Sequence, residues 1–239
     1  MTPSTDQLRI KVFADGADLE SIITLSANPL VQGFTTNPTL MRKAGIKEYA
    51  PFAQEVLEHI GDRPISFEVF CDDFDEMEQQ AKIIASWGEN IYVKIPVSNT
   101  AGEPALDLVA KLADSGINLN VTALMTPAQV GQVAERLKGG PPACISLFAG
   151  RIADTGRDPI PLVEESLAMI ADAPNLELIW ASPREVLNVF QADQTGCHII
   201  TVTSDLLAKL SSVGRDLDQF SLETVRMFYT DACAAEYTI

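Results

Sequence analysis

Eight times along the chain, a short run of β-branched and aliphatic residues gives way to a longer stretch with apolar residues at 3.6-residue spacing. The strand candidates are Ile10–Ala14, Gly33–Thr35, Ile65–Phe70, Ile91–Ile95, Asn118–Thr122, Cys144–Leu147, Glu177–Trp180 and His198–Thr201. Helical periodicity follows Asp18, then covers Lys47–Ile60, Asp73–Trp87, Ala105–Ser115, Pro127–Leu137, Pro161–Ala171, Arg184–Gln191 and Ser204–Leu210. Several helix starts carry an early proline or a capping residue, such as Thr126-Pro127 and Ser204. Strands separated by helices pair in parallel. Eight such units fit a closed (β/α)8 TIM barrel better than an open doubly wound sheet, which has fewer strands. The 239 residues are 46% hydrophobic, enough to fill one barrel core. No linker, low-complexity tract or composition break interrupts them, so residues 1–239 read as one domain. An extra C-terminal amphipathic helix, Leu217–Glu236, is left over. It either covers the barrel mouth or docks on another subunit of a homo-oligomer.

Three consecutive strands depart from the pattern of a parallel sheet, whose strands are apolar on both faces. In Ile65–Phe70, Ser66 and Glu68 share the face opposite Ile65, Phe67 and Val69. In Ile91–Ile95, Tyr92 and Lys94 oppose Ile91, Val93 and Ile95. In Asn118–Thr122, Asn118, Asn120 and Thr122 oppose Leu119 and Val121. The apolar faces belong against helices, so the polar faces line the barrel interior. Burying an unpaired neutral polar group costs about 2–7 kcal/mol. An amine, a carboxylate, an amide and hydroxyls therefore converge there either as a paired network or for chemistry. Lys94, Glu68 and Thr122 lie near the C-terminal ends of their strands, where barrel enzymes carry their sites.

Charge narrows the partners. The formal net charge of −16 opposes binding to phosphate backbones and anionic lipid, so neither nucleic acid nor membrane is expected. The start MTPSTDQLRI lacks an apolar segment and reads as no signal peptide. Cys71, Cys144, Cys197 and Cys233 form no C-x-x-C pair and read as reduced, mostly buried thiols of a cytoplasmic protein. Only His59 and His198 are available as imidazole ligands, so no metal site and no cofactor is expected.

Six motifs carry a resemblance to a known family. They are Phe13-Ala14-Asp15-Gly16-Ala17-Asp18, Gly33-Phe34-Thr35-Thr36-Asn37-Pro38-Thr39-Leu40, Tyr92-Val93-Lys94-Ile95-Pro96, Asn118-Leu119-Asn120-Val121-Thr122, Ser146-Leu147-Phe148-Ala149-Gly150-Arg151-Ile152 and Ala181-Ser182-Pro183-Arg184. In this order, at strand ends from about Ile10 to Lys209, the chain resembles the transaldolases and the related fructose 6-phosphate aldolases. Position 16 is glycine where the family usually has serine or threonine, and Pro183 stands where an aromatic is common.

The resemblance implies a class I, Schiff-base enzyme of carbohydrate metabolism acting on sugar phosphates. The pentose phosphate pathway and specialised sugar metabolism both remain open. Lys94 would be the nucleophile. Asp15 would be the general acid/base; the competing role of helix cap falls to Asp18, which is better spaced for it. Glu68 and Thr122 would hold a water that shuttles protons. Thr36, Asn37, Asn120 and Ser146 would bind the three-carbon dihydroxyacetone unit, although Asn37 before Pro38 also suits a turn. Arg151, Ser182 and Arg184 would grip phosphate, unless the arginines pair with Asp154 or Glu185. Phe148 takes the place of a tyrosine in the aldolases; with Glu68 it favours a transferase over a fructose 6-phosphate aldolase-like lyase. A non-catalytic sugar-phosphate binding protein is the remaining alternative.

Overall fold

The computed structural model describes residues 4–238. The first three residues of the polar start, and Ile239 of the one-domain reading, lie outside the described residues. Eight parallel strands close into a barrel in sequence order. They are β1 (Lys11–Asp15), β2 (Val31–Thr35), β3 (Ile65–Glu68), β4 (Ile91–Pro96), β5 (Leu119–Leu124), β6 (Ala143–Leu147), β7 (Leu176–Trp180) and β8 (Ile199–Thr203). Around them run α1 (Leu19–Ser26), α2 (Pro38–Lys43), α3 (Tyr49–Ile60), α4 (Phe74–Ala85), α5 (Leu106–Asp114) and α6 (Pro127–Leu137). The ring continues with α7 (Ala149–Ala153), α8 (Ile160–Ile170), α9 (Leu187–Thr195) and α10 (Ser204–Lys209), and α11 (Leu217–Ala234) follows. The expected TIM barrel with an extra C-terminal helix is thus the fold.

Local chemistry accounts for most boundaries. Asp18 accepts from Ser21 N–H (2.9 Å) at the start of α1, and Asp73 accepts from Asp75 and Glu76 N–H (2.9 and 3.1 Å) at α4. Thr126 and Gln129 form a reciprocal capping box ahead of Pro127 in α6. Ser204 is not the cap of α10; Thr203 holds that position, and its hydroxyl bonds the Asp205 carboxylate. Periodicity missed α2 and α7, which at 6 and 5 residues are too short to show a repeat. The expected helix from Arg184 begins later, at Leu187, because the Asn188 side chain accepts from both Arg184 and Glu185 N–H (2.7 and 3.1 Å).

The faces separate as the sequence pattern requires. Ile65, Phe67, Ile91, Val93, Ile95, Leu119 and Val121 are all buried in the layer between strands and helices. Inside the barrel a smaller apolar plug of Phe13, Cys144, Ile179, Ala181 and Ile199 fills the middle. Gly33 makes room for it, since a Cβ there would lie 2.5 Å from the Phe13 ring. Ser66, Lys94, Asn120, Thr122, Ser146 and Thr201, also buried, occupy the interior above the plug. At the opposite end Lys11 pairs with Glu177 at 2.7 Å. Of the cysteines, Cys144 and Cys197 are buried, Cys71 is partly buried and Cys233 exposed; all four are free.

α11 stands apart. None of its residues is buried, and Leu217, Val225, Phe228 and Tyr229 are each more than half exposed. It contributes nothing to the lining of the barrel mouth. No described helix is long and apolar enough to cross a membrane.

Candidate active site

A cavity of about 500 Å³ opens at the C-terminal end of the barrel, and every strand or the loop after it contributes to its wall. Asp15, Asn37, Glu68, Lys94, Thr122, Ser146, Phe148, Arg151, Ser182 and Arg184 all line it. Thr36 and Asn120 lie beneath it, fully buried.

Lys94 forms the floor. The register of β4 sets it beside Glu68 of β3 and Asn120 of β5. Since side chains alternate, all three point inward. Its Nζ donates to the Thr36 carbonyl at 2.8 Å and lies 3.1 Å from Glu68 Oε2. The Thr36 hydroxyl is turned away and donates to Ser66 O at 3.1 Å. Below the lysine runs a hydrogen-bonded chain across three strands: Ser146 Oγ donates to Asn120 Oδ1 (2.8 Å), and Asn120 Nδ2 donates to Ser66 Oγ (2.9 Å). Asn120 thus reaches the cavity only through Ser146. Among the described residues the Thr122 hydroxyl is buried with no hydrogen-bond partner, an unpaired polar atom of the kind that water or a reactant satisfies.

Asp15 faces Lys94 from β1. Thr35 Oγ1 donates to one carboxylate oxygen at 2.7 Å and lies 2.5 Å from Thr201 Oγ1. Asn37 Nδ2 reaches the other oxygen at 3.5 Å, while Asn37 Oδ1 accepts from Leu40 N–H (3.0 Å) and caps α2. The turn role and the site role of Asn37 therefore coexist. Burial raises the Asp15 pKa above the usual carboxylate range; the Lys94 charge and the Thr35 hydrogen bond oppose this without cancelling it.

The rim opposite Asp15 holds the arginines. α7 packs so tightly on the loop after β7 that a Cβ at Gly150 would lie 1.5 Å from the Ser182 carbonyl oxygen. Ser182 itself adopts φ 61°, a left-handed conformation that turns the chain toward Arg184. Arg151 stands over the Phe148 ring, 5.7 Å from its centre. Arg184 forks onto Asp154, with Nε 2.9 Å from Oδ1, so the expected competing ion pair does form.

Three neighbours were not anticipated. Thr35 and Thr201 lie on inward positions of β2 and β8, and the period-two pattern that exposed Lys94 could have found them. Tyr49, at the start of α3, donates to Glu68 O (2.9 Å) and accepts from Glu68 N–H (2.8 Å). It approaches from the helix side, and no strand pattern points to it. Among the described residues, no group of three or more His, Cys, Asp and Glu is placed to hold a metal ion.

Comparison with known proteins gives the same direction. The chain is 37% identical over 207 residues to the "Probable transaldolase 2" of Listeria monocytogenes, covering 85% of this chain and 89% of that protein. It is 33% identical over 202 residues to the "Probable transaldolase" of Dehalococcoides mccartyi, covering 84% and 90%. Among solved structures, a putative phosphonomutase from Burkholderia cenocepacia matches with a TM-score of 0.57 over 93% of this chain and 94% of that one; at 14% identity it shares the fold alone. Residues 12–239 match the family described as Transaldolase/Fructose-6-phosphate aldolase. With a buried lysine facing an acid across the mouth of a closed barrel, and with these relatives along most of its length, the chain belongs to the transaldolase/fructose-6-phosphate aldolase family and has an aldolase- or transaldolase-type function.

Proposed function

We propose that this protein, as one domain, is a transaldolase-type transferase that moves a dihydroxyacetone unit from a ketose phosphate to an aldose phosphate through a Schiff base on Lys94. The setting of Lys94 carries the reading: a buried amine, held by one carbonyl and one carboxylate, at the floor of a cavity with two arginines on its rim. Lys94 passes a proton to Glu68 and attacks the ketose C2 carbonyl as a neutral amine. The carbinolamine hydroxyl then needs a proton to leave as water. Glu68 supplies it through a water that the unpaired Thr122 hydroxyl is free to bind. With the iminium as electron sink, Asp15 takes the C4 hydroxyl proton, the C3–C4 bond breaks and the aldose phosphate departs. Its electron pair stays behind as an enamine. The enamine adds to the acceptor aldehyde, Asp15 returns its proton, and hydrolysis frees Lys94. Asn37 and Ser146, the latter set by Asn120, bind the hydroxyls of the three-carbon unit. Arg151, Ser182 and Arg184 hold phosphate by charge-assisted bonds.

Phe148 has no hydroxyl with which to protonate the enamine, which favours transfer over simple cleavage. The exposed apolar face of α11 is read as a contact between copies of the chain.

The test is borohydride reduction in the presence of fructose 6-phosphate. Covalent mass should appear on the peptide bearing Lys94, and Lys94→Ala should lose both trapping and turnover. Near-parental turnover in that variant would sink the mechanism. Without an acceptor, free dihydroxyacetone should form far more slowly than transfer product forms with one; equal rates would make the protein a lyase. Turnover should withstand chelator, because the iminium takes the place of a Lewis acid.

A further inference from the structure

The ladder between β2 and β3 repeats every second residue. Phe34 N–H donates to Pro64 O at 2.8 Å, and Thr36 N–H donates to Ser66 O at 3.1 Å. In a parallel pair, the next bond of this series would run from Glu68 N–H to the Thr36 carbonyl. Here Asn37-Pro38 turns the chain away into α2, and the Tyr49 hydroxyl takes the place of the departing strand. It accepts from Glu68 N–H and donates to Glu68 O, at 2.8 and 2.9 Å. The Thr36 carbonyl is thereby left for Lys94 Nζ, at 2.8 Å.

We infer that Tyr49 is a positioning residue for the Schiff-base lysine: by satisfying the Glu68 backbone, it reserves the Thr36 carbonyl for the Lys94 amine. The inference rests on the assignment of Lys94 as nucleophile. A carbonyl only accepts, so it binds one N–H of the amine and fixes how the nitrogen lone pair faces the cavity. The same two bonds hold Glu68 at the register where its carboxylate meets that amine. The phenol ring is itself fixed by edge-on contacts with Phe67, Phe70 and Trp87, with ring centres 6.0, 5.6 and 5.6 Å away. Burial pushes the phenol pKa up, which keeps the donor proton in place. Tyr49 lies outside the lining of the cavity.

Tyr49→Phe keeps the ring contacts and deletes the hydroxyl. Glu68 N–H then competes with Lys94 for the Thr36 carbonyl. Single-turnover borohydride trapping with fructose 6-phosphate should slow by about tenfold to a hundredfold, the scale of a misplaced reacting group. Inhibition by glucitol 6-phosphate, which has no carbonyl for Lys94 to attack, should stay at its parental value. Trp87→Phe serves as a control that loosens the same aromatic cluster and keeps the hydroxyl; it should trap at the parental rate. Parental trapping in Tyr49→Phe would overturn the inference. So would an equal loss in Trp87→Phe, or a matching loss of glucitol 6-phosphate inhibition, because either marks a general loosening of the barrel. Lys94→Ala separates the two levels: if it retains turnover the nucleophile assignment falls, whereas a normal Tyr49→Phe beside an inactive Lys94→Ala removes this inference alone.

Discussion

Asp15 sits beside Lys94 in a setting that works against its own charge. Burial raises its pKa more than Lys94 and Thr35 lower it, so the folded state holds the Asp15 proton to higher pH than the unfolded chain does. Its contribution to stability is therefore lost as pH rises from the unfolded value through the folded one. Asp15→Asn should abolish turnover yet melt at or above the parent temperature near neutrality, and this gap should close as pH falls into the carboxylate range. A thermal series across pH measures it; a parent that is more stable at neutral pH would show that the carboxylate stabilises the fold. At the rim, Arg184 and its partner Asp154 are both about half exposed, so phosphate can displace the carboxylate without a large desolvation cost. Arg184→Ala and Arg151→Ala should each lower kcat/KM for phosphorylated substrates by roughly tenfold to a hundredfold. Unphosphorylated acceptors should lose far less, and equal losses on both would assign these arginines to structure. Lys94 and Glu68 were legible because a polar side chain on the inner face of a parallel strand breaks a strong rule, whereas Asp15, just past the expected end of its strand, was marked by the family resemblance. Arg184 was legible as a cation, but its fork onto Asp154 depends on where α7 settles.

The elements that position the rim act through backbone contact. Gly150 in α7 has no room for a Cβ, and the atom in the way is a main-chain oxygen of Ser182, which no rotamer change relieves. Gly150→Ala must separate α7 from the loop after β7, with an overpacking cost of about 1–3 kcal/mol. Denaturation midpoints should fall accordingly, and kcat/KM should drop more for phosphorylated than for free acceptors, since Arg151 and Ser182 move apart. A variant with parental stability would mean that the loop yields freely. The strands and the longer helices followed from periodicity, and two caps from Asp18 and Thr126, whereas Thr203 rather than Ser204 caps α10. The short helices α2 and α7 did not, because fewer than two turns of helix carry little repeat. Nor did the end of β3: it depends on where β2 leaves the sheet and on a tyrosine arriving from α3.

For the whole molecule, a net charge of −16 coexists with two arginines at the mouth of one cavity, so the phosphate contact proposed above rests on local charge. The apolar face of α11 is the other global feature. Helices in proteins draw most of their stability from packing an apolar face, and the apolar side chains of α11 stand uncovered. Light scattering should give a mass of at least two chains, and Val225→Asp with Phe228→Asp should reduce it to one; a monomeric parent would remove the reading of α11 as a contact between copies. The sequence by itself pointed to the barrel and the lysine-bearing strand, because alternation of strand and helix and of inward and outward residues are local regularities, and eight such units fit a closed barrel better than an open sheet. The family resemblance pointed to Asp15 as an acid/base, and the spacing of Asp18 only left Asp15 free of a capping role. Only the tertiary structure decided which polar atoms were satisfied. The carbonyl that holds Lys94, the unpaired Thr122 hydroxyl and the fork of Arg184 each depend on the distance between segments remote in the chain. Such distances arise from packing the whole barrel, and no local pattern encodes them.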